Sequence, residues 1–115
     1  DVLIDLLKGK QPAQEAIKKL DGRFCTTTIN AFEVYAGERD AAVADGLLSE
    51  LPVINFTSKS ARIAGAIFKD LKKKGKSIDT RDIFIASVCI SGGLELLTFN
   101  RKHFDRMQEY GLILV

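Results

Sequence analysis

The sequence predicts an α/β fold, a three-layer sandwich whose central sheet is mainly parallel. Short segments that are apolar on both faces, such as VINF and LELLTF, alternate along the chain with longer segments of helical periodicity. Strands that alternate with helices form parallel sheets covered by helices on both sides. With 115 residues the chain has the size of one domain, which we take to span residues 1–115.

Two helices and one strand are predicted near the N-terminus. A helical pattern at residues 2–7 is followed by a second helical stretch that begins at Pro12 and ends at Leu20. The DG pair at 21–22 signals a turn. Residues 23–28 are rich in β-branched side chains and are predicted as a strand.

The middle of the chain is predicted as a helix, a strand and a second helix. Residues 29–51 have helical spacing up to Pro52, and VINF at 53–56 is predicted as a short buried strand. Thr57 and Ser58 are suitable caps for the next helix, which Gly75 should end. The core stripe of that helix is predicted to consist of Ala61, Ala64, Phe68 and Leu71, with Ile63 and Ile67 beside it.

The last part of the chain is predicted as one helix and two strands. The helix contains Asp82 and ends at the glycine pair 92–93, and the strands are LELLTF and the terminal LILV. Folds of this class usually begin with a strand, whereas this sequence begins with a helical pattern. We therefore expect the first strand and the loop after it to be missing from the sequence.

Composition places the chain among ordinary globular proteins. It is 46% hydrophobic and 28% charged, with a net charge of +2 that does not by itself identify a nucleic-acid partner. No apolar run approaches the roughly 20 residues of a membrane-spanning helix, so no membrane partner is expected. No signal peptide is visible, and the predicted location is the cytoplasm.

Asp82 stands where its helix should be apolar. The positions one to three turns further along the same face are Ala86, Cys89 and Gly93, which are all small or apolar. A buried carboxylate is costly unless something pairs with it. The candidates are an arginine, a backbone cap and a metal ion.

Three polar residues are predicted beyond the carboxyl ends of strands, where parallel α/β sheets bind ligands. They are Glu33, Asp82 and Asn100. Carboxylates gathered without enough cationic side chains repel one another, and Mg²⁺ or Mn²⁺ relieves that repulsion by accepting oxygen ligands. A water activated by such an ion can attack a phosphodiester.

Each of these residues also has a purely structural interpretation. Glu33 could be a solvated helix residue, and Asn100 could be a turn residue. Asp82 could cap its helix or pair with Arg81 or Lys76. Asp79, one turn earlier, is predicted to cap the helix, with a place around the metal as its alternative.

Four segments in order resemble a known family. VLIDLLKG, TINAFEVYAG, DIFIAS and LLTFNRKHF together resemble PIN-domain proteins, in particular the VapC-type ribonuclease toxins of prokaryotic toxin–antitoxin pairs. The resemblance covers the whole chain. It implies a Mg²⁺- or Mn²⁺-dependent ribonuclease that forms homodimers and is inhibited by a cognate antitoxin.

The resemblance also implies roles for individual residues. The glutamate of the second motif falls on Glu33, the aspartate of the third on Asp82, and the fourth site position on Asn100, with the Thr98 hydroxyl in support. These three site residues are implied to be catalytic, and Glu33 and Asp82 to bind the metal. The residues implied to contact the RNA are Thr98, Arg101, Lys102 and His103.

The first motif departs from the family pattern. That pattern has an aspartate and two small or polar residues before VLID, and Asp1 matches the second of those two. The first metal-binding aspartate is therefore expected two residues before this sequence begins, in agreement with the missing strand. Asp5 is a possible substitute, but in the predicted helix it should lie on the surface.

The leading functional prediction is an endoribonuclease that acts as the toxin of a toxin–antitoxin pair. Its alternative is a catalytically weak or inactive PIN-like module that binds RNA or a protein partner, which Asn100 and the missing aspartate would favour. A phosphoacceptor domain of the response-regulator type would need an acceptor aspartate at the end of a central strand and a lysine at the end of a later one. The sequence has neither.

Overall fold

A computed structural model describes residues 11–18, 24–77 and 79–115. The helix predicted at residues 2–7 and the turn at 21–22 lie outside the described residues. The chain separates into two compact units, Asp1–Ile54 and Asn55–Val115. Within the described ranges, no helix is long and apolar enough to cross a membrane.

The first unit contains three helices and one pair of parallel strands. Thr26 lies opposite Val53 and Thr27 opposite Ile54 in that pair. The elements, in chain order, are α1 (Gln11–Lys18), β1 (Thr26–Thr27), α2 (Thr28–Gly37), α3 (Ala41–Leu48) and β2 (Val53–Ile54).

Strand β1 is shorter than predicted because a helix cap lies inside the predicted segment. Thr27 keeps an extended backbone, and its hydroxyl accepts a hydrogen bond from the Asn30 backbone N–H at 3.1 Å. That bond satisfies one of the free N–H groups of the first helical turn, so α2 begins at Thr28. The strand runs directly into the helix without a loop.

Residues 29–51 do not form the single helix that was predicted. Helix α2 ends at Gly37, and the Asp40 carboxylate caps a new helix by accepting from the Ala42 N–H at 3.0 Å. Aspartate competes with helix continuation in this way because its short side chain reaches nearby backbone N–H groups. The two helices enclose a small core of Val34, Ala44 and Leu48.

The second unit contains the remaining elements and a second pair of parallel strands. Glu95 lies opposite Ile113 and Leu96 opposite Leu114. The parallel strands and the alternation of strands with helices agree with the predicted α/β class. The elements are α4 (Ser58–Lys73), α5 (Thr80–Gly92), β3 (Glu95–Leu96), α6 (Arg101–Phe104), a 3₁₀ helix (Asp105–Tyr110) and β4 (Ile113–Leu114).

Helix α4 packs against α5 with a stripe rotated from the predicted one. Phe68 is 40% exposed, so its assignment to the core was wrong, as was that of Ala61. The predicted cap is confirmed, because the Thr57 hydroxyl accepts from the Ser60 N–H at 3.2 Å. The buried positions of α4 are Ser60, Ala64, Ile67 and Leu71.

Helix α5 is the most buried element of the second unit. Five consecutive residues from Ile85 to Cys89 are buried, together with Ile83. The helix ends at Gly92 and is capped by Gly93, whose backbone has a φ of 66° and is left-handed, a conformation that glycine adopts without steric cost. The first turn of α5, which precedes this buried run, carries Asp82.

Candidate functional site

A pocket of about 630 Å³ opens at the N-terminal end of α5 in the second unit. Its walls come from the segment that leads into α5, from the first turn of α5, and from α6 and the start of the 3₁₀ helix. The lining is polar and mostly charged. It consists of Ser77, Asp79, Thr80, Arg81, Asp82, Lys102, His103 and Arg106.

Asp79 fixes the start of α5 and thereby the direction of the residues after it. Its carboxylate accepts from the Arg81 backbone N–H at 3.0 Å, and its carbonyl accepts from the Ile83 N–H. The prediction that Asp79 caps this helix is confirmed. The alternative in which Asp82 is itself the cap is therefore wrong.

Asp82 is largely buried and pairs with the single histidine of the chain. Its side chain is 15% exposed, and its Oδ2 atom lies 3.2 Å from Nδ1 of His103. The ion-pair partner of Asp82 is therefore His103 and not Arg81 or Lys76, the two partners that were predicted. The positive charge of Arg81 still acts on Asp82. The buried Ala86 and Cys89 follow Asp82 on α5, as the spacing predicts.

The surroundings of Asp82 oppose its negative charge. Burial raises the pKa of the Asp82 carboxyl above its ordinary value, and the negative charge of Asp79 raises it further. The hydrogen bond and charge of His103, and then the charge of Arg81, act in the opposite direction without cancelling the rise. This carboxylate therefore gains from a further positive charge in the pocket.

His103 is held beside Asp82 by buried neighbours in sequence. Phe104 is 4% exposed and Met107 is fully buried, so α6 and the 3₁₀ helix are fixed by their apolar side chains. The imidazole itself is 54% exposed. It can therefore contact Asp82 and a ligand from solvent together.

Thr98 and Asn100 lie in the loop between β3 and α6. The buried Thr98 hydroxyl accepts from the Asn100 backbone N–H at 3.0 Å, and the Asn100 carbonyl accepts from the His103 N–H at 2.9 Å. These bonds connect the end of the strand to the helix that carries His103. The supporting role implied for the Thr98 hydroxyl and the catalytic role implied for Asn100 stay predictions.

Four predicted site residues are absent from the pocket lining: Thr98 and Asn100 of the loop before α6, and also Arg101 and Glu33. Arg101 donates from Nη1 to the Val115 carbonyl at 2.6 Å and does not line the pocket. Glu33 belongs to the first unit, where it is half-buried on α2. The roles assigned to Arg101 and Glu33 stay predictions.

Two pocket arginines were missed by the sequence interpretation. Arg106 follows Lys102 by four residues, and this spacing places two side chains on one face of a helical stretch. That signal was present but weak, because α6 is short and passes into a 3₁₀ helix. Arg81 was considered only as an ion-pair partner of Asp82.

The pocket offers oxygen ligands of the kind that Mg²⁺ and Mn²⁺ prefer. Asp79 and Asp82 supply carboxylates to its lining, and a divalent cation there would relieve the repulsion between them. Within the described residues, no group of three or more His, Cys, Asp or Glu side chains is arranged to hold a metal ion. The donor chemistry fits the predicted ion, and Asp82 is the residue that would bind it.

Comparison with known proteins identifies the family to which the chain belongs. The PIN-domain family model matches residues 1–110, which is nearly the whole chain, so this is a PIN-domain protein. The resemblance inferred from the four motifs is thereby confirmed.

Within that family the chain belongs to the VapC group. It is 46% identical over 114 residues to the ribonuclease VapC1 of Methanocaldococcus jannaschii, a match that covers 96% of this chain and 79% of that protein. It is 36% identical over 93 residues to the ribonuclease VapC2 of Haemophilus influenzae, covering 75% of this chain and 70% of the relative.

Solved structures of similar proteins support the same fold. The DNA-bound VapBC of Salmonella typhimurium superimposes with a TM-score of 0.82 at 27% identity, covering 100% of this chain and 93% of the matched chain. VapBC-1 from nontypeable Haemophilus influenzae superimposes with a TM-score of 0.81 at 22% identity, covering 100% and 92%. At that lower identity the likeness concerns the fold alone.

Proposed function

We propose that the protein is a Mg²⁺- or Mn²⁺-dependent endoribonuclease that hydrolyses RNA phosphodiester bonds. Relatives in the VapC group are named as ribonucleases, and one from Shigella flexneri, 26% identical over 115 residues, is named as a tRNA(fMet)-specific endonuclease. Family membership supports the reaction class. The charge distribution of the pocket around Asp82 supports the site.

The observation that carries the proposal is the combination of acids and bases in one pocket. Asp82 is 15% exposed and its pKa is raised, as expected for a carboxylate placed to receive a cation. Lys102, His103 and Arg106 line the same pocket and are the side chains suited to a polyanionic strand. An RNA phosphate could therefore approach the acids without net repulsion.

The chemistry divides between the ion and the side chains. A bound divalent ion supplies a water nucleophile near neutral pH and stabilises negative charge on the phosphate. Asp82 would hold the ion, and the family resemblance implies Glu33 as a further ligand. His103 orients Asp82 through its Nδ1 contact, and Lys102 binds the RNA backbone. The family resemblance alone assigns Asn100 and Thr98 to the site, since neither lines the pocket.

We further propose that the protein is the toxin of a toxin–antitoxin pair. Several solved relatives are VapBC complexes, a finding that supports a cognate antitoxin as its inhibitor. Homodimer formation and a cytoplasmic location complete the proposal and rest on the family resemblance. Light scattering on the purified protein would test the dimer, and co-purification with the product of the neighbouring gene would test the partner.

Replacement of Asp82 tests the proposed activity directly. Asp82→Ala should abolish Mn²⁺-dependent cleavage of bulk tRNA and total RNA, because the ion would lose its buried ligand. Glu95→Gln is the matched control, since Glu95 is an exposed acid of the same unit outside the pocket lining. Circular dichroism should show the same fold for both variants.

Cleavage by Asp82→Ala at the wild-type rate would refute the assignment of the site. Absence of cleavage by the wild-type protein, together with retained RNA binding, would favour the alternative of an inactive PIN-like binding module. Loss of cleavage in Glu95→Gln as well would point to a general loss of folded protein.

A further inference from the structure

Arg106 is a cationic side chain with an unsatisfied donor. Its Nε atom is inaccessible to solvent and has no hydrogen-bond partner among the residues that the structure describes. The side chain as a whole is half-buried and lines the pocket. Buried charged groups in proteins are normally paired. Because Nε itself is closed to solvent, a ligand could supply counter-charge only to the part of the Arg106 side chain that lines the pocket.

The two acids that line the pocket do not supply that counter-charge. The Asp82 carboxylate is in contact with His103 at 3.2 Å. The Asp79 carboxylate accepts from the Arg81 backbone N–H at 3.0 Å and is committed to capping α5. Arg106 therefore adds positive charge beside two acids without neutralising either through an ion pair.

The backbone that carries Arg106 is well anchored. Phe104 and Met107, which flank it in sequence, are both buried, and the 3₁₀ helix Asp105–Tyr110 fixes the intervening residues. A guanidinium held in this way presents N–H donors in a planar fork that matches two oxygens of a phosphate.

Electrostatics explains why such a cation is needed at this position. A phosphodiester that approaches Asp82 also approaches Asp79, and both carboxylates repel it. The guanidinium of Arg106, in the same pocket lining, offsets this repulsion and attracts the phosphate oxygens. A lysine is less suited, since it is a point charge without the fork.

We propose that Arg106 is a positioning residue that binds a phosphate of single-stranded RNA in the Asp82 pocket. Its guanidinium donates to non-bridging phosphate oxygens and so places the neighbouring phosphodiester against the acidic site. This assignment rests on the proposed ribonuclease function for the identity of the substrate. The phosphate contact itself can be measured without any cleavage.

The experiment is a binding titration on the metal-free protein, in which EDTA prevents hydrolysis. A fluorescent single-stranded oligoribonucleotide and inorganic phosphate are the two probes, and the Arg106 Nε–Hε cross-peak in ¹⁵N–¹H spectra is the local readout. The variants are Arg106→Gln and Arg106→Lys. Arg62→Gln is the matched control, because Arg62 is an exposed arginine of the same unit that does not line the pocket.

The proposal predicts that the oligonucleotide shifts the Nε–Hε signal of the wild-type protein. Arg106→Gln should weaken oligonucleotide binding roughly 10-fold to 100-fold, the range for a hydrogen bond to a charged group. Arg106→Lys should recover part of the loss, and Arg62→Gln should bind as the wild type does. In cleavage assays the Gln variant should raise KM more than it lowers kcat.

Wild-type oligonucleotide affinity in Arg106→Gln, or an unmoved Nε–Hε signal at saturation, would overturn the proposal. Weaker binding of inorganic phosphate alone, with oligonucleotide affinity unchanged, would also overturn it. If the Gln variant does not fold, the Lys variant and the wild-type signal decide. Arg106-dependent binding without any cleavage would leave this inference standing while the ribonuclease proposal fails, and cleavage with an unchanged KM in Arg106→Gln would do the reverse.

Discussion

The negative charge of Asp82 lowers the stability of the folded protein but suits the proposed binding of a cation. Burial and the neighbouring Asp79 raise its pKa, so the folded protein holds this carboxylate in an unfavourable charged state near neutral pH. The same environment makes the carboxylate a strong ligand for a cation. A residue that costs stability and remains in the core of the site is typical of functional positions.

Asp82→Asn should therefore raise the melting temperature of the metal-free protein at pH 7 to 8. The amide keeps the shape and can still hydrogen-bond to His103, while the opposed charge is removed. Differential scanning calorimetry in EDTA measures the change. Glu95→Gln, an exposed acid, should leave the melting temperature unaltered, and a lower melting temperature for Asp82→Asn would contradict the account of its environment.

Thr98→Val tests the loop that precedes α6. The substitution keeps the volume but removes the hydroxyl that accepts from the Asn100 N–H at 3.0 Å. We expect a loss of about 1 kcal/mol in the free energy of unfolding in urea, the cost of one unsatisfied polar group. RNA cleavage should fall as Asn100 loses its position.

Thr98→Ser retains the hydroxyl and serves as the control. It should keep cleavage close to the wild-type rate, with only a small loss of stability from the missing methyl group. Equal cleavage by the Val and Ser variants would show that this hydrogen bond does not position Asn100 for the reaction.

The sequence identified some of the charged residues that line the pocket and missed others. An aspartate at an apolar helix position is conspicuous, because burial of a carboxylate needs an explanation. Asp82, Lys102 and His103 were predicted, and the structure places all three at one pocket. Arg81 and Arg106 were not, since surface arginines are common and only their three-dimensional position distinguishes them.

At the scale of elements, a charged network joins α4 to the 3₁₀ helix. Lys74 lies 2.9 Å from Asp70 and also pairs with Glu109, while the Tyr110 hydroxyl donates to Asp70. The hydrogen bond from Tyr110, and then that from Lys74, holds the pKa of Asp70 below its ordinary value of 3.8. These groups are exposed, so each pair is worth little alone.

Because the pKa of Asp70 is lowered in the folded state, its contribution to stability is present above pH 3.8 and is lost as the pH falls through the lowered value. Asp70→Asn should lower the melting temperature at pH 7 and should reduce the further loss between pH 4 and pH 2. Thermal melts across this range measure both. Asp105→Asn, an exposed acid of the same unit, is the control, and identical acid profiles for wild type and Asp70→Asn would contradict the linkage.

Helices were predicted more accurately than strands for a physical reason. Helix ends carry their signals locally, as the Thr57 and Asp79 caps show. Strand ends depend on pairing partners and on competing caps, so residues 23–28 yielded only Thr26–Thr27 as strand. The break between α2 and α3 follows from the Asp40 cap, a local signal that helical periodicity concealed.

At the scale of the whole molecule, the fold class follows from the alternation of elements, and the family follows from four motifs in order. Both were available in the sequence, and the match to residues 1–110 confirms the family. The residues that form the pocket walls could not be predicted from the sequence, because they depend on how the first turn of α5 packs against α6 and the 3₁₀ helix. The buried face of α4 was predicted only in part: Ala64 and Leu71 are buried, whereas Ala61 and Phe68 are exposed. Two neighbouring faces of that helix satisfy the same periodicity.

The central claim is that the buried carboxylate of Asp82 binds a divalent cation for RNA hydrolysis. Titration of Mn²⁺ into the protein by isothermal calorimetry, with Asp82→Asn and Glu95→Gln alongside, tests it most directly. The account predicts saturable binding by the wild type and by Glu95→Gln, and none by Asp82→Asn. Undiminished Mn²⁺ binding by Asp82→Asn, or no binding by the wild type, would contradict it.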